Sequence, residues 1–168
     1  MYQYDPQSNK KREKGIVLGL ALTAVAAFGF AKVQGVPFPA LLQLIGVFAL
    51  TSLVIVLTRY LMRRYVYSVE AKENGAEGDS PDLIITEYYG NHVSVVCRIS
   101  TSEIESVTPI TRENRGELSE LLKRKRVYTY TGEIEPAGYC LLTVHSEEET
   151  FYLKIASDEA LINAIKNA

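Results

Sequence analysis

Residues able to carry chemistry are scarce in this sequence. There are two cysteines and two histidines, and Cys97, Cys140, His92 and His145 lie too far apart in sequence to make a metal site by spacing. No Gly-x-Ser-x-Gly elbow frames a nucleophile around the serines at 100–102, and no glycine-rich loop offers backbone amides to a phosphate. Glu103, Glu105 and the run at 147–149 read as strand-end and turn carboxylates, because nothing marks a cleft that would raise the pKa of one of them. The expectation is a non-enzymatic chain that needs no cofactor.

A basic surplus is lacking too. Over 168 residues, 18 Lys and Arg meet 20 Asp and Glu, for a net charge of −2. The distribution is uneven: from residue 65 onward ten bases face eighteen acids, a balance of −8. Nucleic-acid binding draws on counterions released by clustered Lys and Arg, so nucleic acid is excluded as an expected partner.

Long apolar runs, by contrast, fill the first third. Residues 15–31 carry no charge and as a helix would cover about 25 Å, which Lys14 and Lys32 extend by reaching to the interfaces. Gly19, Ala21, Ala24 and Ala27 are small enough for close packing against a second helix. Residues 36–58 form the second uncharged run, and Gly35, Pro37 and Pro39 prevent one helix from continuing through both. The expected organisation is a basic tail at 1–14, two transmembrane helices within 15–64 (about 15–34 and 36–60), and a domain over 65–168. A cleavable signal peptide followed by a single span is the rival, since Gly29 and Ala31 follow a basic stretch and a short apolar core.

Orientation follows from the flanks. Lys10, Lys11, Arg12 and Lys14 precede the first run, Lys32 alone lies between the runs, and Arg59, Arg63 and Arg64 follow the second. The positive-inside rule then puts both ends in the cytoplasm, at a plasma membrane crossed twice. Lys14, Lys32, Arg59, Tyr60, Arg63, Arg64 and Tyr65 are the expected membrane-interface anchors. In that compartment Cys97 and Cys140 are expected to stay reduced as small core residues.

Beyond residue 65 the apolar period falls to two. Tyr65, Tyr67 and Val69 alternate; residues 83–89 form a second strand; Gly90-Asn91 marks a hairpin; and Val93, Val95, Cys97 and Ile99 suggest one continuous apolar face. Strands are also expected over 104–110, 126–130, 139–145 and 150–155, with a short helix at 113–123 carrying Leu118, Leu121 and Leu122. A final helix, capped by Ser157, carries Leu161, Ile162 and Ile165 to cover an end of the sheet.

This order resembles the pleckstrin-homology (PH) superfold, and two membrane helices leading into it resemble the bacterial pleckstrin-homology-like (bPH) membrane proteins. The resemblance is carried by the Arg- and Tyr-rich exit at 59–67, the stretch I-S-T-S-E-I-E-S-V at 99–107 and the closing S-D-E-A-L-I-N-A-I at 157–165. It implies a membrane α-helical hairpin plus an α+β domain, a PH-like seven-stranded antiparallel barrel with a C-terminal helix and one short inserted helix, acting as a membrane-tethered interaction module. One departure stands out. Phosphoinositide-binding relatives place basic residues along the first strands and the loop between them, whereas residues 70–82 here hold a single Lys72 among five acids.

Two features remain. Lys123, Arg124, Lys125 and Arg126 are the only basic run after residue 65, either solvated at a helix end or in contact with anionic lipid. Tyr88, Tyr89, Tyr128, Tyr130, Tyr139 and Tyr152 fall on expected strands, where tyrosine also suits a protein interface. The partners expected are thus the bilayer and an unknown protein or a second copy of the chain; an anionic-lipid sensor and an accessory subunit of a transporter or envelope complex are the alternatives.

Overall fold

The computed structural model describes residues 2–6, 10–71, 80–134, 138–146 and 149–168. They fall into two compact units: Ser8–Arg63 with Gly132–Ile134, and Met1–Gln7 with Arg64–Thr131 and Glu135–Ala168. The chain is α+β, with two long apolar helices and two four-stranded sheets.

In the first unit, α1 (Lys11–Phe30) and α2 (Pro39–Val56) are antiparallel partners by sequence, and α2 runs on through a π-helical turn at Leu57–Leu61. Helix α1 begins four residues before the apolar run, because Lys11, Arg12, Glu13 and Lys14 are all capable helix formers. The break between the helices uses left-handed backbone at Gly35 (φ 89°) and Phe38 (φ 58°), followed by Pro39 in the first turn of α2. Both helices are long and apolar enough to cross a membrane.

Apart from Glu13 near the start of α1, the buried residues of the two helices form a narrow seam. Ala24 and Ala27 are buried on α1, Gly46 and Ala49 on α2, each pair three residues apart. Large apolar side chains elsewhere point away from the seam: Val25 is 72% exposed and Phe48 65%. Small residues bring the backbones together, and Gly46 is the tightest point, since a Cβ there would meet the Phe28 ring at 2.8–3.0 Å.

The second unit opens with a strand where a basic tail was expected. Strand β1 (Tyr2–Tyr4) pairs antiparallel with β2 (Arg63–Glu70), Tyr2 opposite Val69 and Tyr4 opposite Tyr67. Strands β3 (Asp82–Tyr89) and β4 (His92–Ser100) complete a sheet of order β1-β2-β3-β4. The second sheet, of order β5-β7-β8-β6, contains β5 (Ile104–Ile110), β6 (Val127–Tyr130), β7 (Tyr139–His145) and β8 (Thr150–Ala156). Helix α3 (Arg115–Leu122) lies between β5 and β6 in sequence, and α4 (Glu159–Lys166) follows β8.

Four expectations are corrected here. Eight described strands form two open sheets in place of one closed seven-stranded barrel, and β6 runs parallel to β8, so the pairing is mixed. The apolar face expected along β4 is broken: a bulge lets Ile85 oppose Cys97 while Thr86 opposes Val95. That one-residue slip reverses the facing of everything beyond it, so Ile99 is buried while Val93 and Val95 are exposed. The N-cap of α4 is Asp158, not Ser157: its carboxylate accepts the Leu161 amide at 2.7 Å. In α3, Leu121 is exposed and only Leu118 and Leu122 are partly covered.

The two sheets share one core. Tyr65, Tyr67 and Val69 from β2, Leu83 and Ile85 from β3, and Ile99 from β4 meet Cys140, Leu142 and Val144 from β7 and Leu153 and Ile155 from β8. Helix α4 adds Leu161 and Ile165. At the centre, Tyr67 is fully buried; its hydroxyl donates to the Tyr130 carbonyl at 2.6 Å and accepts from the Ala156 amide at 3.3 Å. Glycine is required at 138, because a Cβ there would come within 2.5 Å of the Ser157 carbonyl oxygen.

Two outcomes follow from this packing. Gly46→Leu forces a side chain into the Phe28 ring and is expected to destabilise the helix pair by about 1–3 kcal/mol, read as a lower unfolding temperature of the detergent-solubilised chain. Tyr67→Phe leaves the Tyr130 carbonyl and the Ala156 amide without their partner and is expected to cost about 1–3 kcal/mol in chemical unfolding. Burial pushes the Tyr67 hydroxyl far above its usual value of 10.0. Its contribution is therefore intact below about pH 10 and lost progressively at higher pH, where the unfolded chain ionises first. Unfolding midpoints taken from pH 8 to pH 11 should fall more steeply for the native chain than for Tyr67→Phe.

Candidate functional site

Of the residues expected at the membrane interface, Arg59, Tyr60, Arg63, Arg64 and Tyr65 lie at or just past the end of α2 in sequence, and one lysine organises that end. The Lys10 ammonium donates to three carbonyls, of Tyr60 at 2.9 Å, Leu61 at 3.0 Å and Arg63 at 2.9 Å. Carbonyls at a helix C-terminus have no intrahelical donors and carry the negative end of the dipole, so a cation placed there satisfies both needs. Sequence reading gave Lys10 only as one charge of a basic tail. Its partners are about fifty residues away, and no local pattern marks them.

The expected anchors divide into two groups. Lys14, Lys32 and Arg59 are exposed, Tyr60 and Arg63 partly so, and the Arg59 guanidinium lies 5.9 Å from the Tyr60 ring. These five belong to the helical unit. Arg64 and Tyr65 belong to the β unit. Arg64 is exposed, pairs with the Asp5 carboxylate through Nε at 2.9 Å and through its Nη2, and lies 5.6 Å from the centre of the Tyr88 ring. Tyr65, expected among lipid headgroups, is instead a core residue: it is 7% exposed, meets Tyr130 edge-on and donates to Glu87 at 3.1 Å.

Glu13 is buried in α1, and its carboxylate accepts the Ile134 amide at 3.1 Å. The basic run follows α3 with all four side chains exposed. Lys123 pairs with Glu120, and Arg126 places one guanidinium nitrogen 2.7 Å from both oxygens of Glu149. Half of the run is thus matched by acid.

Residues weighed for chemistry have close polar neighbours. His145 Nδ1 lies 2.7 Å from the Thr150 hydroxyl, and Ser102 Oγ lies 2.9 Å from Ser100 Oγ. Cys97 and Cys140 are free thiols; burial raises both pKa values, that of Cys140 to about 11, which suits reduced core residues. Among the described residues no group of three or more His, Cys, Asp or Glu is gathered to hold a metal ion. Two surface cavities, of about 430 and 540 Å³, are shallow and share Ser102 and Glu105.

Compared with known proteins, the chain matches no protein family, no curated protein and no solved structure. What it does rests on its own geometry.

The Lys10 clamp yields a measurable consequence. In Lys10→Met three terminal carbonyls lose a charged donor, and amide exchange across residues 60–66 is expected to quicken on the order of tenfold, as for a lost charged hydrogen bond. Exchange in the β7 and β8 amides should stay unchanged.

Proposed function

We propose that the chain is a non-enzymatic module anchored in the plasma membrane by a helical hairpin, with its β domain on the cytoplasmic side, where it docks another protein or a second copy of itself. The anchor rests on the two long apolar helices, and one observation carries the two-crossing topology: β1 precedes α1 in the chain, yet it pairs with β2, which follows α2. A strand before two membrane helices can join a strand after them only if both lie on one side, which is the case for a hairpin crossing twice. The Lys10 clamp brings the start of α1 to the end of α2 and supports the same reading. Cleavage after the first apolar run would remove β1 from its sheet, which weighs against the signal-peptide alternative.

The side is assigned by charge. The basic residues before α1 and after α2 outnumber Lys32 in the turn, and the positive-inside rule makes that side cytoplasmic. The docking role rests on the open sheets, whose outer strands offer backbone groups for strand addition, and on Tyr128, which is 44% exposed and packed edge-on to Phe151. The PH-like resemblance of the sequence implies the same kind of role. An anionic-lipid sensor working through residues 123–126 has less support, because Glu120 and Glu149 already meet two of its charges.

A photo-crosslinking residue at Tyr128, in full chain carrying a C-terminal reporter, tests the proposal in native membranes. The expected result is a reporter active in the cytoplasm and an adduct of defined mass after illumination. A reporter active only outside the cell overturns the topology, and a chain that gives no adduct overturns the docking role.

A further inference from the structure

The tip of the β3–β4 hairpin departs from the rest of its domain in composition and exposure. Its two-residue turn uses Gly90 at a φ of 58°, and Tyr89 pairs directly with His92 across it. From residue 88 to 97 there is no Asp, Glu, Lys or Arg, in a domain where acids outnumber bases eighteen to ten. Val93 and Val95 are 59% and 60% exposed, turned outward by the bulge at 96, with Tyr89 also open to solvent. Isolated apolar side chains on a surface are ordinary; three gathered on an uncharged strand end are less so.

Its place in the chain says what covers it. The Arg64 guanidinium lies over the ring of Tyr88, which pairs with Val93. Arg64 is three residues beyond Leu61, the end of the apolar helical stretch. A fully extended chain covers at most about 3.6 Å per residue, so Arg64 lies within roughly 11 Å of that end whatever the orientation of the domain. That distance is comparable to the depth of the headgroup region, where tyrosine and other amphipathic side chains are favoured. The inner leaflet is anionic and repels acidic surface; this tip carries no acid from residue 88 to 97, and the nearby Asp5 is paired with Arg64.

The geometry points to the β3–β4 hairpin tip, with Tyr88, Tyr89, Val93 and Val95, as a second membrane contact that dips into the interfacial layer of the bilayer. The inference rests on the membrane reading of α1 and α2 and extends it. The hairpin would hold the β domain against the bilayer in one orientation and leave Tyr128 and the opposite sheet for a protein partner.

The absence of tryptophan makes a direct test available. Val93→Trp, Phe48→Trp and Leu121→Trp each place one fluorophore, on the hairpin, on α2 and on exposed α3, in full chain reconstituted into vesicles with or without brominated lipid. The expected result is strong quenching at Phe48→Trp, quenching at Val93→Trp several-fold above that at Leu121→Trp, and a blue-shifted emission at Val93→Trp. Val95→Trp should repeat it. Quenching at Phe48→Trp with none at Val93→Trp beyond the Leu121→Trp level overturns the hairpin contact and leaves the anchor standing. Loss of quenching at Phe48→Trp removes the anchor, and the inference with it. If Val93→Trp is shielded from both lipid quencher and aqueous iodide, protein and not lipid covers the tip, which also overturns it.

Discussion

The two sheets of the β domain have no strand in common among the described residues, so their register depends on side chains that reach between them, and Tyr67 bonds the backbone of the facing sheet. From β2 its hydroxyl bonds backbone groups of β6 and β8, while its ring stacks on Tyr4 of β1 at 6.0 Å. Apolar burial around it is non-directional and would tolerate sliding. A buried phenol with a fixed donor and acceptor does not, because moving it leaves polar groups unsatisfied in the core. The same ring thereby connects the strand before the helices to the sheet that closes the domain.

A comparable economy holds at the helix pair. Its seam is made of alanines and a glycine, so its stability comes from close backbone approach, and its outward face is left to whatever surrounds it. The end of α2 is finished from outside the helix by Lys10, and the start of α4 by Asp158, which also takes the Tyr2 hydroxyl at about 3.2 Å. Residues 2–10 thus contribute to a strand, a helix end and a cap, through partners from Tyr60 to Asp158.

Much of this was legible in the sequence. The apolar runs, the hairpin at Gly90-Asn91, the alternation along β2, β7 and β8, and the apolar stripe of α4 all follow from local periodicity. The remainder was hidden for physical reasons. Strand β1 is three residues long beside a basic stretch, too short to show a period. The bulge at 96 is a choice between two pairings of equally apolar residues, and only the partner strand decides it. The parallel pairing of β6 with β8 depends on how the chain returns after α3, which no local signal records. Tyr65 read as an interface residue because it follows arginines, yet the strand alternation that buries Tyr67 buries it too. The end of α2 was visible as a cluster of charges; the lysine that organises it was not, because its bonds go to backbone carbonyls fifty residues on.

The pairing of β1 with β2 also fixes an order of events during synthesis. Strand β1 is made before α1 but has no partner until both helices and residues 63–70 have emerged, so it must wait unpaired while the helices form. The β3–β4 hairpin, by contrast, closes locally as soon as it appears. The first sheet is therefore finished by its earliest segment, and a chain whose helices fail to fold back on each other would keep that segment away and leave β2 with an open edge.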